Sequence, residues 1–500
     1  MKFVLSKQIL WVRKSLNCNS GIAVAIFIIG YLALLLLNHS FLFNPPYGND
    51  VTALHRQAIW LANNHFDIIS LWSADQVFPK GGANAYPFGV FPYFYGILYC
   101  ILSPVTVHFI GHLLNTAFIV AAFSICYFLI AEITGGKLRA FAWSLAALAT
   151  PVIQGRSADI GHESPLLFGI MLLLLAIFKR RPRVSLCILA SLCFIKMSAL
   201  VICVAFICWL LIIRQLQINE FPRRRYIGIA IGSFVVIMFL YSITAYMDRL
   251  DFLITREMLF SNLRMIHYLM PLTGISIAGI IIFAVVRYRQ AMKAFLLRDN
   301  IELAAKDRIM LLLAIMTAAF WLAFILYPDP CPRNAAMIVF PMAVFWGLVP
   351  MKHQLSPVLA VIVTITGLLL AELNVPALPD DKKLQSSDML ERNLAFVSDL
   401  NYNREVCRFI EQNGRNGIIV AQRPFALMLS IPEMGYVRKP LNNVYCADFL
   451  FKDALSTNTV KDRQNLQYSV YILPDSYHSL YHNSGADGIT HDYLNKATRD

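Results

Sequence analysis

A carboxylate stands close behind the first long apolar block of the chain. The block runs from Gly21 to Leu42 without a charge, Asn44, Pro45 and Pro46 break it, and Asp50 follows. Held near a membrane surface by the helix behind it, such a group can take a proton from an incoming hydroxyl as a general base. A plainer role fits the same position, because Asp50 also stands where it would cap the amphipathic helix whose one face carries Leu54, Ala58, Leu61 and Ala62. Lys196 is the second residue of interest. It lies between the apolar stretches 184–195 and 198–213, where a cation is costly unless a partner is present. Snorkelling to a helix end is its plainer reading. The cysteines at 100, 126, 187, 193, 203 and 208 sit in apolar blocks and carry no metal spacing. Cys407 and Cys446 either form a disulfide in an oxidising compartment or remain two thiols.

The elements that must position these residues are membrane helices. With 58% apolar and 15% charged residues in a chain of 500, there is too little polar surface to coat a soluble fold of this size. The formal charge of +13 does not point to nucleic acid, since the basic residues fall between hydrophobic blocks and form no stripe with interleaved aromatics. They gather instead at Lys2, Lys7, Arg13 and Lys14, at Lys137 and Arg139, at 179–183, at 214–225 and at 287–308. Under the positive-inside bias these are cytoplasmic loops, so the N-terminus is cytoplasmic. The stretches between them, 43–108, 155–164, 247–267 and 327–334, face outward.

Threading the chain through this alternation predicts eleven crossings, over 21–42, 109–133, 140–154, 165–178, 184–195, 198–213, 226–245, 268–286, 309–326, 335–350 and 355–372. The block 88–107 is apolar but rich in Pro and Tyr, and counting it as a span would reverse every later loop. It is expected to lie as a helix in the outer interface, where aromatic rings are favoured. After Leu373 the composition turns polar. Residues 373–500 are expected to form a linker and a small soluble α/β domain on the outer side, with a helix over 390–413, strands at 417–421 and 468–473, and a helix starting at Pro424. No phosphate-binding glycine loop or metal-spaced cluster appears there.

Four features in this order resemble the GT-C superfamily of membrane glycosyltransferases, which includes protein O-mannosyltransferases, aminoarabinose transferases and oligosaccharyltransferase. They are Asp50 opening a long first outer loop, the helix 51–65 with the aromatic and proline-rich return 86–95, a second outer loop containing Asp159, His162 and Glu163, and a late loop 327–334 containing Arg333. The likeness covers roughly residues 1–350. It implies a polytopic α-helical GT-C-like domain over 1–372 that moves a sugar from a polyprenyl-phosphate donor to a glycolipid, glycan or protein acceptor. In that scheme Asp50 is the base, Asp159, Glu163 and His162 are the acidic-loop candidates, and Arg333 and Lys196 receive the donor phosphate. The sequence has Asn49 where the commoner acidic pair begins and no Asp-x-Asp in the second loop, so no cofactor is required and a divalent metal stays optional. The compact architecture implies a bacterial inner membrane with a periplasmic active face. A transporter or flippase, or an O-antigen polymerase or ligase, would share a lipid-linked substrate. The first lacks its expected internal repeats here, and the second usually places its chemistry in a late loop.

Overall fold

The computed structural model describes residues 18–46, 49–68, 71, 89–196, 198–215, 277–289, 305–326, 335–351, 354–372, 407–412, 418–421, 423–441, 444–446 and 470–473, with single positions at 228, 231, 232, 234, 235, 400 and 404. The described helices are α1 Cys18–Leu37, α2 Asn49–Asn63, α3 Val90–Ile101, α4 Pro104–Thr134, α5 Lys137–Leu148, α6 Pro151–Ser157, α7 Glu163–Phe178, α8 Pro182–Cys193, α9 Ala199–Gln215, α10 Ala305–Leu326, α11 Ala336–Leu348 and α12 Leu355–Glu372. Among the described residues three helical segments are long and apolar enough to cross a membrane: Asn19–Leu37, Pro104–Thr134 and Lys306–Leu326. Shorter apolar helices, α3, α7, α8 and α11 among them, surround these.

The first crossing, expected over 21–42, is a helix that ends at Leu37 and gives way to a 3-10 turn at His39–Phe41, and two further boundaries differ from the sequence expectation at prolines. The interfacial block was expected as one helix over 88–107 and the next crossing from 109. Instead α3 ends at Ile101, and α4 begins at Pro104 with Ser103 as its cap, the Ser103 side chain accepting from the Thr106 amide. Proline at the first helical position has no amide to satisfy and a φ already suited to the helix, so Ser103-Pro104 is a start signal inside the apolar block. The expected crossing 140–154 is likewise two helices, α5 ending at Leu148 and α6 opening on Pro151.

The helices pack around α4, which contacts α1, α5, α7 and α11, while α9 packs on α10 and α5 on α12. Polar contacts divide between two ends of this assembly. At one end Asn19 Nδ2 donates to Glu132, Arg139 to the Val349 carbonyl, Trp143 to Ser356 and Trp209 to the Arg308 carbonyl, and the Lys179 ammonium lies over the Phe128 ring. At the other end Asn38 donates to Ser157, His112 bonds the Asn44 carbonyl, and Lys196 meets Glu163. The basic loop residues that are described lie at the first end. Asp159, Glu163 and Lys196 lie at the second.

After α12 the described residues include a three-stranded parallel sheet of β1 Ile418–Ala421, β2 Val444–Cys446 and β3 Val470–Leu473, in the order β2-β1-β3. Ile419 pairs with Val444 on one side and Tyr471 on the other, and its side chain is buried. Helix α13 Arg423–Ser430 follows β1. Strands 418–421 and 470–473 and this helix fall where the β-branched runs and Pro424 put them; β2 was not foreseen. Cys407 carries a free, buried thiol, which burial and then the charge of Glu411 push well above its ordinary range.

Candidate functional site

The site is assembled from five short pieces of chain at the second end: α2, α3, the first turns of α4, the turn from α6 into α7 and the turn of Lys196. Helix α2 reads apolar on the face of Leu54, Ala58 and Leu61, and that face packs on α3. Leu54 and Ala58 bury with Tyr95 and Val107 in one cluster, and each large aliphatic side chain removed from water this way contributes about 1.5–3 kcal/mol. Asp50 is the second residue of α2, so the helix starts two residues earlier than a capping aspartate would require. The fourth piece is the turn from α6 into α7, which carries Asp159, His162 and Glu163.

That turn is where the two loops meet. A Cβ built on Gly161 would lie 2.6 Å from Glu163 Oε2, 3.2 Å from Val51 Cγ2 and 3.6 Å from Asp159 Oδ2. A side chain at 161 would have to displace Glu163 Oε2 and crowd Val51, so glycine here lets the acidic turn approach the residue beside Asp50 without such a shift. On the far side, the Val90 amide donates to the Phe194 carbonyl at 2.8 Å, tying the start of α3 to the turn of Lys196.

Charge in this region is buried and paired. Arg156 Nη1 donates to Asp159 Oδ2 at 2.8 Å, and Asp159 Oδ1 accepts from the Ile160 amide at 2.8 Å. Lys196 Nζ donates to Glu163 Oε1 at 2.6 Å. Each of the four side chains belongs to a residue 5% exposed. Sequence reasoning assigned Lys196 to a donor phosphate and Glu163 to the acidic loop separately; the structure joins them. The partner that a lysine between apolar stretches demands is therefore a carboxylate of the chain, and a phosphate arriving there would have to share or displace it. Arg333 lies outside the described residues.

Beside these pairs runs a hydrogen-bonded chain of rings. His55 Nδ1 and Tyr99 Oη are 2.8 Å apart, and Tyr99 Oη and His108 Nε2 are 3.0 Å apart. The hydroxyl can donate to one imidazole and accept from the other. The His55 ring lies 4.6 Å from that of Tyr95, and the buried His162 ring 6.2 Å from Phe91. Burial, and after it the neighbouring imidazoles of His108, His162 and His112, hold His55 well below its usual range, so it is neutral. Burial and then the charge of Asp159 push the Tyr95 phenol up. Asn115 donates to the carbonyls of Arg156 at 2.7 Å and Ser157 at 3.3 Å, fixing the end of α6.

The sequence reading missed His55, Tyr95, Tyr99, His108, His112 and Arg156. A signal was present: Tyr95 and Tyr99, and again His108 and His112, stand four apart, which places each pair on one helical face. Polar faces on helices this apolar have to be satisfied from inside the protein. Among the described residues no three His, Cys, Asp or Glu side chains are grouped so that they could hold a metal ion. No family model matches the chain, and comparison with curated proteins finds none that matches it.

Proposed function

We propose that the chain is a membrane glycosyltransferase that moves a sugar from a polyprenyl-phosphate donor to a glycolipid, glycan or protein acceptor, at the membrane face carrying the first loop. In this reading the protein has eleven crossings in a GT-C-like arrangement, followed by a small soluble α/β domain. The basic loops are cytoplasmic, and the site faces the periplasm of a bacterial inner membrane. The observation that supports it best is the meeting at Gly161 of the Asp50 helix with the acidic turn, next to a buried lysine.

The chemistry balances with these groups. The acceptor oxygen attacks the anomeric carbon of the sugar, the bond from that carbon to the phosphate oxygen breaks, and the acceptor proton passes to Asp50. The lipid phosphate leaves carrying negative charge, which Arg333 and Lys196 stabilise in a partly dry site, the phosphate sharing Lys196 with Glu163. Asp159, held by Arg156, and His162 shape the acceptor side.

The test is transfer of labelled sugar from a polyprenyl-phosphate donor by the full chain in vesicles, together with surface glycans and lipid-linked intermediates in cells with and without the protein. A general base contributes about 10²–10⁴-fold to rate, so Asp50→Asn is expected to abolish most transfer while expressing normally. If Asp159→Asn or Glu163→Gln is the dead variant and Asp50→Asn is active, the second loop carries the base. Full transfer by all three amide variants refutes carboxylate catalysis, and unchanged glycans and intermediates in cells lacking the protein refute the activity.

A further inference from the structure

The region after α12 does more than follow the helices in sequence. Its buried cluster, which includes Cys407, Ile419, Met428 and Met434, is completed by Ile59 of α2 and by Ala158, the residue before Asp159. Both loops of the candidate site thus contribute to the apolar core of the C-terminal region. Helix α13 and the short 3-10 turn Pro432–Met434 pack against α2.

Three polar contacts converge on the segment that leads into α2. Tyr436 Oη donates to the Pro46 carbonyl at 3.0 Å, and Arg404 Nη1 donates to Asn44 Oδ1 at 3.4 Å. From the opposite side, His112 Nε2 bonds the Asn44 carbonyl at 3.0 Å. Between these, Gly435 takes φ +84°, and a Cβ on it would sit 3.4 Å from Pro45 Cβ and 3.7 Å from His108 Cε1. The left-handed turn at Gly435 lets the chain come down onto Pro45 and present Tyr436 to the next carbonyl. Two consecutive prolines have fixed φ angles, so holding the Pro46 carbonyl restricts the whole of Asn44–Pro46.

We propose that Tyr436 and Arg404 are positioning residues for the first loop: they clamp Asn44–Pro46 against α4 and thereby set where α2 begins and where Asp50 stands. The consequence for catalysis rests on the reading of Asp50 as the base; the clamp itself does not. Without it, Pro45 and Pro46 would still stiffen the segment, but of the described hydrogen bonds only those of the Asn44 backbone, from His112 to its carbonyl and from its amide to the Phe41 carbonyl, would remain to anchor it. A clamp of this kind acts on rate through orientation, because a misplaced base loses turnover without losing donor affinity.

The experiment uses the full chain in lipid nanodiscs, with Tyr436→Phe and Arg404→Gln singly and together. Phenylalanine keeps the buried ring and removes the hydroxyl that donates to Pro46. Amide hydrogen exchange is read over 49–63, with α4 as an internal control, and transfer is measured at limiting and saturating donor. Exchange over 49–63 is expected to rise about tenfold in the double variant, the opening that loss of such hydrogen bonds permits, with α4 unchanged. Turnover is expected to fall while the donor KM holds. Native exchange over 49–63 in the double variant overturns the clamp, as does acceleration spread equally over α4, which would mark a general loss of stability. Increased exchange with undiminished turnover overturns the consequence for Asp50. An active Asp50→Asn protein removes the base reading and leaves the exchange result standing on its own.

Discussion

Glu163 and Lys196 are two charges taken out of water, and their value lies in each other. A buried pair is often no better than an apolar pair of the same size, whereas removing one partner leaves an uncompensated charge and costs about 3–5 kcal/mol. Glu163→Gln and Lys196→Met are each expected to lower the melting temperature strongly, and the double variant to lose clearly less than their sum. Thermal unfolding of the four proteins in one detergent measures this coupling, and additive losses would mean the 2.6 Å contact contributes nothing of its own. His55 gives a second residue-scale expectation. Its folded pKa is depressed below the ordinary 6.5, first by burial, so the fold holds it neutral while the unfolded chain lets it charge. Its share of stability is full above pH 6.5 and is lost as pH falls below that value toward the folded pKa. Between pH 7 and 5 the native protein should therefore lose more stability than His55→Gln, and equal slopes would place the pH dependence elsewhere. Lys196 was readable in the sequence as a cation in need of a partner, but nothing local singled out Glu163, because the pair spans 33 residues and two helices.

At the scale of elements, Ser103-Pro104 divides an apolar block into two helices with different tasks. The Ser103 hydroxyl accepts from the Thr106 amide, and α4 then runs to Thr134, about 46 Å at the rise of an α-helix. Ser103→Ala is expected to cost about 1 kcal/mol, as loss of such a cap typically does, while Ser103→Asp keeps the acceptor and most of the stability. Thermal unfolding of both variants decides it, and equal losses would assign the effect to surface packing. The same element shows what sequence could and could not supply. The apolar length of α4 and the amphipathic face of α2 were legible from composition and period. The start of α4, five residues before the expected 109, was hidden because Val105 to His108 are as compatible with an interfacial helix as with a span. The division of 140–154 depended on giving Pro151 more weight than the apolar run around it. The ring chain of His55, Tyr99 and His108 needed the packing of α2, α3 and the first turns of α4, which no single segment encodes.

Across the whole molecule, the sorting of polar contacts into two ends ties topology to function. Lys137, Arg139, Lys179 and Arg308 belong to the end where α1 begins, and the candidate site and the C-terminal sheet belong to the other. A basic end attracted to the cytoplasmic side would put Asp50, the acidic turn and the C-terminal region together outside. This can be tested with two exposed positions, Arg181 beside α8 and Lys439 after the Tyr436 contact. Arg181→Cys and Lys439→Cys are labelled in intact cells, or in spheroplasts if an outer membrane intervenes, with a membrane-impermeant thiol reagent and the parent protein as background. Position 439 is expected to label and position 181 to label only after the membrane is permeabilised. The reverse pattern would move the site to the cytoplasm, where soluble nucleotide sugars could replace a lipid-linked donor. Labelling of both positions in intact cells would be more damaging, because it would put on one side two loops that the proposed seven crossings between residues 181 and 439 keep on opposite sides. Only the expected pattern leaves a lipid-linked donor entering from the outer leaflet in reach of Lys196 and the first loop.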